Sequence, residues 1–219
     1  MSRITDSEVT GETSFNITYL DVHAHEIQNT KILLRQLKEF SSQEIGNLRY
    51  EVVQRIGQAD QFVIVEAWHD ALKMRTHQQS KTFVEIKDHL KDFLRSSFDE
   101  RPHLALHVTK LDRSFSANKD EIFAITHVDI VPTFKDQGIT LVKDISASSE
   151  KDPGNIRFEA LTQISRPNHM TIVEVWANQD AINHHASQKR KINFRVDLCP
   201  ISGSLYDERF YKQINLSID

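Results

Sequence analysis

Residues 46–68 read GNLRYEVVQRIGQADQFVIVEAW, and residues 154–176 read GNIRFEALTQISRPNHMTIVEVW. The second stretch follows the first at an offset of 108 positions without a gap, keeping Gly-Asn-x-Arg-x-Glu at its start and Ile-Val-Glu-x-Trp at its end. Outward from it, at the same offset, Phe15, Ile17, Thr18 and Asp21 meet Phe123, Ile125, Thr126 and Asp129. His77 and Lys81 meet His185 and Lys189, and Asp99-Glu100-Arg101 meets Asp207-Glu208-Arg209. A repeat this long exceeds the roughly 20–50 residues of a solenoid unit and describes a duplicated domain. The polar run 112–121 reads as the linker between domain 1 (15–111) and domain 2 (122–219), behind a polar tail over residues 1–14.

Each half predicts strand, helix, strand, strand, helix, strand. Phe15 to Val22 is rich in β-branched and aromatic residues, and Leu33, Leu37 and Phe40 then recur with a helical period, as do Leu141 and Ile145. Gly46 and Pro153-Gly154 end those helices, Gly being the residue that takes the left-handed conformation after a helix without strain. The quoted stretch is then a β-hairpin. A second helical region carries Phe83, Ile86, Leu90 and Phe93, shortened in the second half by Pro200. A last strand is expected at Leu104–Val108 and at Ile214–Ile218. The order βαββαβ defines an α+β, ferredoxin-like fold with both helices on one face of an antiparallel sheet. The bare faces of two such sheets predict sheet-to-sheet packing of the two domains, an intramolecular version of a two-fold dimer.

Composition narrows the function. Twenty-seven Lys and Arg against 31 Asp and Glu give a net charge of −4, the wrong sign for a phosphate-backbone partner, so no nucleic acid is expected. Hydrophobic residues at 39% and charged residues at 26% describe a globular chain. One cysteine, Cys199, closes no intramolecular disulfide, and no stretch approaches the ~20 apolar residues of a membrane span. A cytoplasmic protein without membrane contact is the expectation. The six glycines are scattered, so no phosphate loop exists, and no Gly-x-Ser-x-Gly elbow is present. His23, His25 and the His184-His185 pair lack acidic or Cys ligands at a recognised spacing, so no metal is predicted.

With a four-residue loop over Gly57–Asp60, Glu51 would face Glu66 and Arg49 would face Trp68. One sheet face would then carry Leu48, Tyr50, Val52, Val63, Val65 and Ala67, and the other Arg49, Glu51, Glu66 and Trp68. A buried Arg–Glu network is the structural account of that second face. A slip of one residue would exchange the faces. His77 and His185, each nine residues after a Trp, serve either as bases near neutral pH or as packing residues, and spacing does not decide.

The repeated Glu-x-Trp strands with their downstream histidines resemble a tandem pair of antibiotic biosynthesis monooxygenase domains, of the dimeric α/β barrel superfamily. Gly46, Tyr50-Glu51, Glu66-Ala67-Trp68, His77 and Phe83 carry the resemblance, echoed by Gly154, Phe158-Glu159, Glu174-Val175-Trp176 and His185. It implies a cofactor-independent monooxygenase that uses O2 on a small phenolic, quinol or polyketide-like aromatic substrate. The same superfamily holds non-catalytic small-molecule-binding and stress-response proteins, and heme-degrading monooxygenases. The heme branch fits less well, because it has a Trp where this chain has His77. Oxidation without a cofactor needs a base, donors for the oxyanion and aromatic walls. His77 is the candidate base, Asn16 and Arg49 the donors, and Tyr50 and Trp68 the walls, with Trp176 and His185 their counterparts in domain 2. Asn16 becomes Ala124 and Tyr50 becomes Phe158, so the N-terminal half is the better candidate for chemistry. Further homo-oligomerisation through edge strands is left open.

Overall fold

In the computed structural model of the chain, which describes residues 9–109, 111, 118 and 120–214, the repeated stretch folds as a β-hairpin in each half. The first half runs β1 (Ser14–Asp21), α1 (Ile27–Gln43), β2 (Asn47–Arg55), β3 (Gln61–Trp68), α2 (Ala71–Gln78), α3 (Lys81–Lys91) and β4 (Asp99–His107). The second repeats it as β5 (Ile122–Asp129), α4 (Lys135–Ser149), β6 (Asn155–Gln163), β7 (His169–Trp176), α5 (Gln179–Ser187), α6 (Lys189–Leu198) and β8 (Asp207–Gln213). Two ferredoxin-like α+β repeats result, with β3 between β1 and β2 and β7 between β5 and β6, all antiparallel.

The described residues divide into two compact units, 9–102, 111 and 212–214 in the first, and 103–109, 118 and 120–211 in the second. In the second unit β8 pairs with β5, and the C-terminal part of β4 pairs with β6, His103 opposite Gln163. In the first, the Ile214 N–H donates to the Val52 carbonyl at 3.2 Å. The last strand of the second half is therefore Asp207–Gln213, not the expected 214–218, of which 215–218 lie outside the described residues. Its charged sequence, DERFYKQ, has only the adjacent Phe210 and Tyr211 as large apolar residues and so lacks the alternation from which a strand is read. Of the expected linker, residues 112–117 and 119 also lie outside the described residues.

The hairpin register differs by one residue from the expected one. The β2–β3 loop spans five residues, 56–60, which sets Tyr50 opposite Glu66, Arg49 opposite Ala67 and Glu51 opposite Val65. Because side chains alternate along a strand, the shift moves Glu66 and Trp68 onto the helix-facing surface with Tyr50 and Val52. Arg49 and Glu51 turn to the opposite surface. The second hairpin repeats this with Phe158 opposite Glu174, and Arg157 Nε lies 3.6 Å from Glu159 Oε2. Only one glutamate of each pair thus shares a face with the arginine.

Helix-facing core in the first unit is Leu20, Val52, Phe62 and Ile64 against Leu34, Leu37, Ile86 and Leu90, each worth about 1.5–3 kcal/mol when fully buried. The α1 stripe is Thr30, Leu34, Leu37 and Ser41, with Leu33 and Phe40 packed at its margin. The second helical region of each half is two helices. Ser80 breaks the first, its Oγ accepting from the Phe83 N–H at 3.3 Å, and Gln188, with extended backbone, breaks the second. Pro200 lies in a single 3₁₀ turn after α6, so α6 ends only at Leu198.

Gly154 enters the second hairpin with φ +79°, and a Cβ there would lie 2.5 Å from the Ala181 Cβ. Gly57 has φ +80° with no atom within 4 Å of an added Cβ. Both glycines answer a backbone requirement, and only Gly154 also answers a packing one. Gly57→Ala is expected to cost about 1–2 kcal/mol in urea denaturation, and Gly154→Ala at least about 1 kcal/mol more. Equal losses would show that the approach of α5 to this turn is not tight.

Candidate functional site

A glutamate two residues before a tryptophan on one strand shares its face, so each β3-type strand brings a carboxylate and an indole together. In the first unit Trp68 Nε1 donates to Glu66 Oε2 at 3.0 Å. Asn16, opposite Glu66 on β1, donates through Nδ2 to Glu66 Oε1 at 3.1 Å and to Thr18 Oγ1 at 3.0 Å. Glu66 is 3% exposed, and burial lifts its carboxyl to about 7 against the opposing hydrogen bonds from Trp68 and Asn16. A neutral amide and an indole satisfy the carboxylate without countering its charge.

Asn16 lines a pocket of about 430 Å³ together with Phe83, Lys87 and Glu100. Both amide hydrogens of Asn16 are engaged, while its Oδ1 is buried with no hydrogen-bond partner among the described residues. Such an acceptor calls for a donor. Lys87 Nζ sits 2.6 Å from Glu100 Oε2, and 5.5 and 5.0 Å from the ring centres of Phe83 and Phe98.

His77, in the last turn of α2, is 1% exposed. Its ring lies 4.6 Å from those of Trp68 and Phe83 and 6.0 Å from Tyr50. Nδ1 is hydrogen-bonded to Glu44, and Nε2 is buried without a hydrogen bond. Burial lowers its pKa to about 4, so the ring is neutral at pH 7, and burial raises Glu44. The Tyr50 hydroxyl is held well above the usual phenol range, by burial first and by Glu66 second. Of the residues expected from the sequence, Asn16, Tyr50, Trp68 and His77 thus gather around Glu66, and Arg49 lies on the other face of the sheet.

In the second unit Trp176 Nε1 donates to Glu174 Oε2 at 2.8 Å, but position 124 is alanine. The replacement partner is Lys191, 5% exposed, whose Nζ lies 3.3 Å from both Glu174 Oε1 and Glu208 Oε1. Burial works against its charge, and Glu174, Tyr206 and Glu208 outweigh that and raise its pKa. The His185 ring lies 4.6 Å from that of Trp176, tilted by 35°, with Nδ1 2.7 Å from Asp152 Oδ2 and Nε2 3.9 Å from Glu174 Oε2. Asp152 is also bound by Arg190. Burial brings His185 to about 4. A pocket of about 1190 Å³ opens beside Lys191, Tyr206 and Glu208.

The sequence reading had Glu66 only as a member of a structural Arg–Glu network, not as a site residue, and passed over Lys191. The signal was present: at the constant offset Lys191 replaces Phe83 while Ala124 replaces Asn16, a paired exchange of a carboxylate's partner. Among the described residues, no group of three or more His, Cys, Asp or Glu is placed to hold a metal ion, and no helix is long and apolar enough to cross a membrane.

The fold and site describe a duplicated α+β protein with a buried carboxylate–indole pair beneath the helices of each repeat. The sequence matches the antibiotic biosynthesis monooxygenase family over residues 15–95 and 122–190, and the chain belongs to that family. No curated protein matches it. The structure is similar to a candidate monooxygenase of Fusobacterium nucleatum, at TM-score 0.83 and 14% identity over 94% of each chain. A candidate monooxygenase of Lactobacillus acidophilus superposes at TM-score 0.74 and 15% identity, covering 92% of this chain and 94% of its own. An anthrone oxidase-like protein does so at 0.72 and 10%, covering 96% and 95%. At these identities the likeness is one of fold.

A carboxyl raised from 4.5 to about 7 in the folded state stabilises the fold fully below its unfolded value, and that contribution is lost as pH rises through 7. Compared with Glu66→Gln, the wild-type chain is expected to lose about 2 kcal/mol of unfolding free energy between pH 5 and pH 8. His77 and His185 titrate alike in both proteins and cancel. Parallel stability curves for the two proteins would place the Glu66 carboxyl at its ordinary value.

Proposed function

We propose that the protein is a cofactor-independent monooxygenase that oxidises a small phenolic or quinol aromatic with O2, using the pocket of the first unit. The observation that carries this reading is the free, buried Asn16 Oδ1 at the pocket, hydrogen-bonded through its amide to a carboxyl poised at about 7. A substrate hydroxyl donates to Asn16 Oδ1, and as that oxygen takes its proton the Asn16 amide passes an Nδ2 proton to Glu66 Oε1, so the proton ends on Glu66, a base matched to neutral pH. The resulting phenolate is electron-rich, and the Lys87 ammonium on the pocket wall stabilises its oxyanion. Phe83 supplies an aromatic wall, and the volume of about 430 Å³ suits one or two fused rings. The substrate itself supplies all four electrons that O2 takes up, as when a hydroquinone and O2 give a hydroxyquinone and water: one oxygen atom bonds to a ring carbon, the O–O bond breaks, and the other atom leaves as water.

In this reading His77 is a positioning residue. Its Nδ1 is committed to Glu44, and its ring fixes Trp68, which in turn holds Glu66.

Oxygen uptake by the metal-stripped chain, against a panel of hydroquinones, anthrones and reduced naphthoquinones, tests the activity. Glu66→Gln is expected to lower kcat/KM about 10²-fold or more, and the wild-type rate to rise with pH through about 7. A rising limb near pH 4 would return proton abstraction to His77. Uptake no faster than autoxidation, with saturable binding of the same compounds, would make the protein a non-catalytic binder.

A further inference from the structure

The position equivalent to the first pocket carries a different chemistry in the second unit. Where Val84, Lys87 and Asp88 stand in α3, α6 has Ile192, Arg195 and Val196. The second pocket, at about 1190 Å³, exceeds the roughly 300–1,000 Å³ of an ordinary small-molecule site. Its rim leaves large apolar side chains in water: Ile192 is 51%, Val196 64% and Leu205 92% exposed. Apolar surface gathered around a concavity marks a binding site more often than scattered exposure does.

Charge sets the ligand class. Lys191 is engaged by Glu174 and Glu208, so its charge is spent within the protein. Arg195 has no ion-pair partner among the described residues, and its guanidinium lies 3.7 Å from the centre of the Tyr206 ring. Stacking uses one face of the guanidinium and leaves its edge, a rigid fork of N–H donors, for a planar acid. In the first unit the matching Lys87 is held by Glu100 at 2.6 Å, and Asp88 stands where the apolar Val196 does.

We infer that the pocket of the second unit binds a planar, largely apolar molecule bearing one acidic group. Arg195 pairs with the acid, and Ile192, Val196 and Leu205 cover the ring system against Tyr206. Because this is a statement about binding, it stands apart from the oxidation proposed for the first unit.

Fluorescence titration of the full chain with 8-anilinonaphthalene-1-sulfonate tests it, beside the uncharged N-phenyl-1-naphthylamine. The sulfonate probe is expected to saturate at one molecule per chain. Arg195→Ala should weaken it about tenfold or more while changing the uncharged probe less than twofold, and Lys87→Ala should change neither. Arg195→Lys, which keeps the charge and loses the fork, should fall between, with near-ultraviolet circular dichroism confirming an intact fold. The inference is overturned if Arg195→Ala weakens both probes alike or neither, or if Lys87→Ala matches its effect. It is also overturned if binding falls as protein concentration rises, which would place a second copy on the rim.

Discussion

Burial of a glutamate under the helices, two residues before a tryptophan, is the constraint on which the rest of each repeat depends. Taking a carboxylate out of water costs several kcal/mol unless hydrogen bonds and charge replace the lost hydration. The indole supplies one bond in each unit, at 3.0 and 2.8 Å, because residues i and i+2 of a strand share a face. The second oxygen needs a second partner. The first repeat finds it in the neighbouring strand, at Asn16, and the second in the helix above, at Lys191. Around each pair the histidine ring fills the space over the indole and is itself tied to an acid at the end of the first helix, Glu44 or Asp152.

That difference in partner decides what each carboxyl can do. An amide and an indole leave the charge of Glu66 uncompensated, so burial dominates and the group sits near neutrality, able both to take and to release a proton at pH 7. At Glu174 an ammonium at 3.3 Å takes the place of the amide, and the carboxyl is committed to an ion pair within the protein. Two repeats with one backbone plan therefore hold two different sites. Fold similarity alone would not separate them.

Much of the architecture was legible from the 108-residue repeat, because a gapless duplication displays element order twice and Gly46 and Gly154 mark the same turn. The helix ends were legible too, φ being +97° and +79° at those glycines. The register was not. Whether Gly57–Asp60 or residues 56–60 form the loop changes no composition, yet it decides which of Glu51 and Glu66 lies beneath the helices. With that register the Arg49–Glu51–Glu66 network separates, and Glu66 becomes the centre of a site rather than a member of a salt-bridge cluster. The start of β4 and the whole of β8 escaped because Asp99-Glu100-Arg101 and Asp207-Glu208-Arg209 carry charge where a strand is usually read from apolar alternation, although their recurrence at the offset was visible.

The exchange of partners between the repeats also has a physical direction. Starting from the arrangement of the first repeat, loss of the Asn16 amide leaves Glu66 with its indole bond and a carboxyl already half-protonated at neutral pH. The neutral form then absorbs the loss at the cost of about one hydrogen bond, on the order of 1 kcal/mol. A lysine arriving at the Phe83 position then finds a buried acid waiting and gains an ion pair as it enters. Starting from the second repeat, loss of Lys191 strips both Glu174 and Glu208 of the same cation at once, and breaking a buried pair costs about 3–5 kcal/mol. Removing the amide of the first site thus costs about one hydrogen bond, whereas removing the lysine of the second leaves two buried acids without their cation, so the exchange is easier from the first arrangement to the second than back.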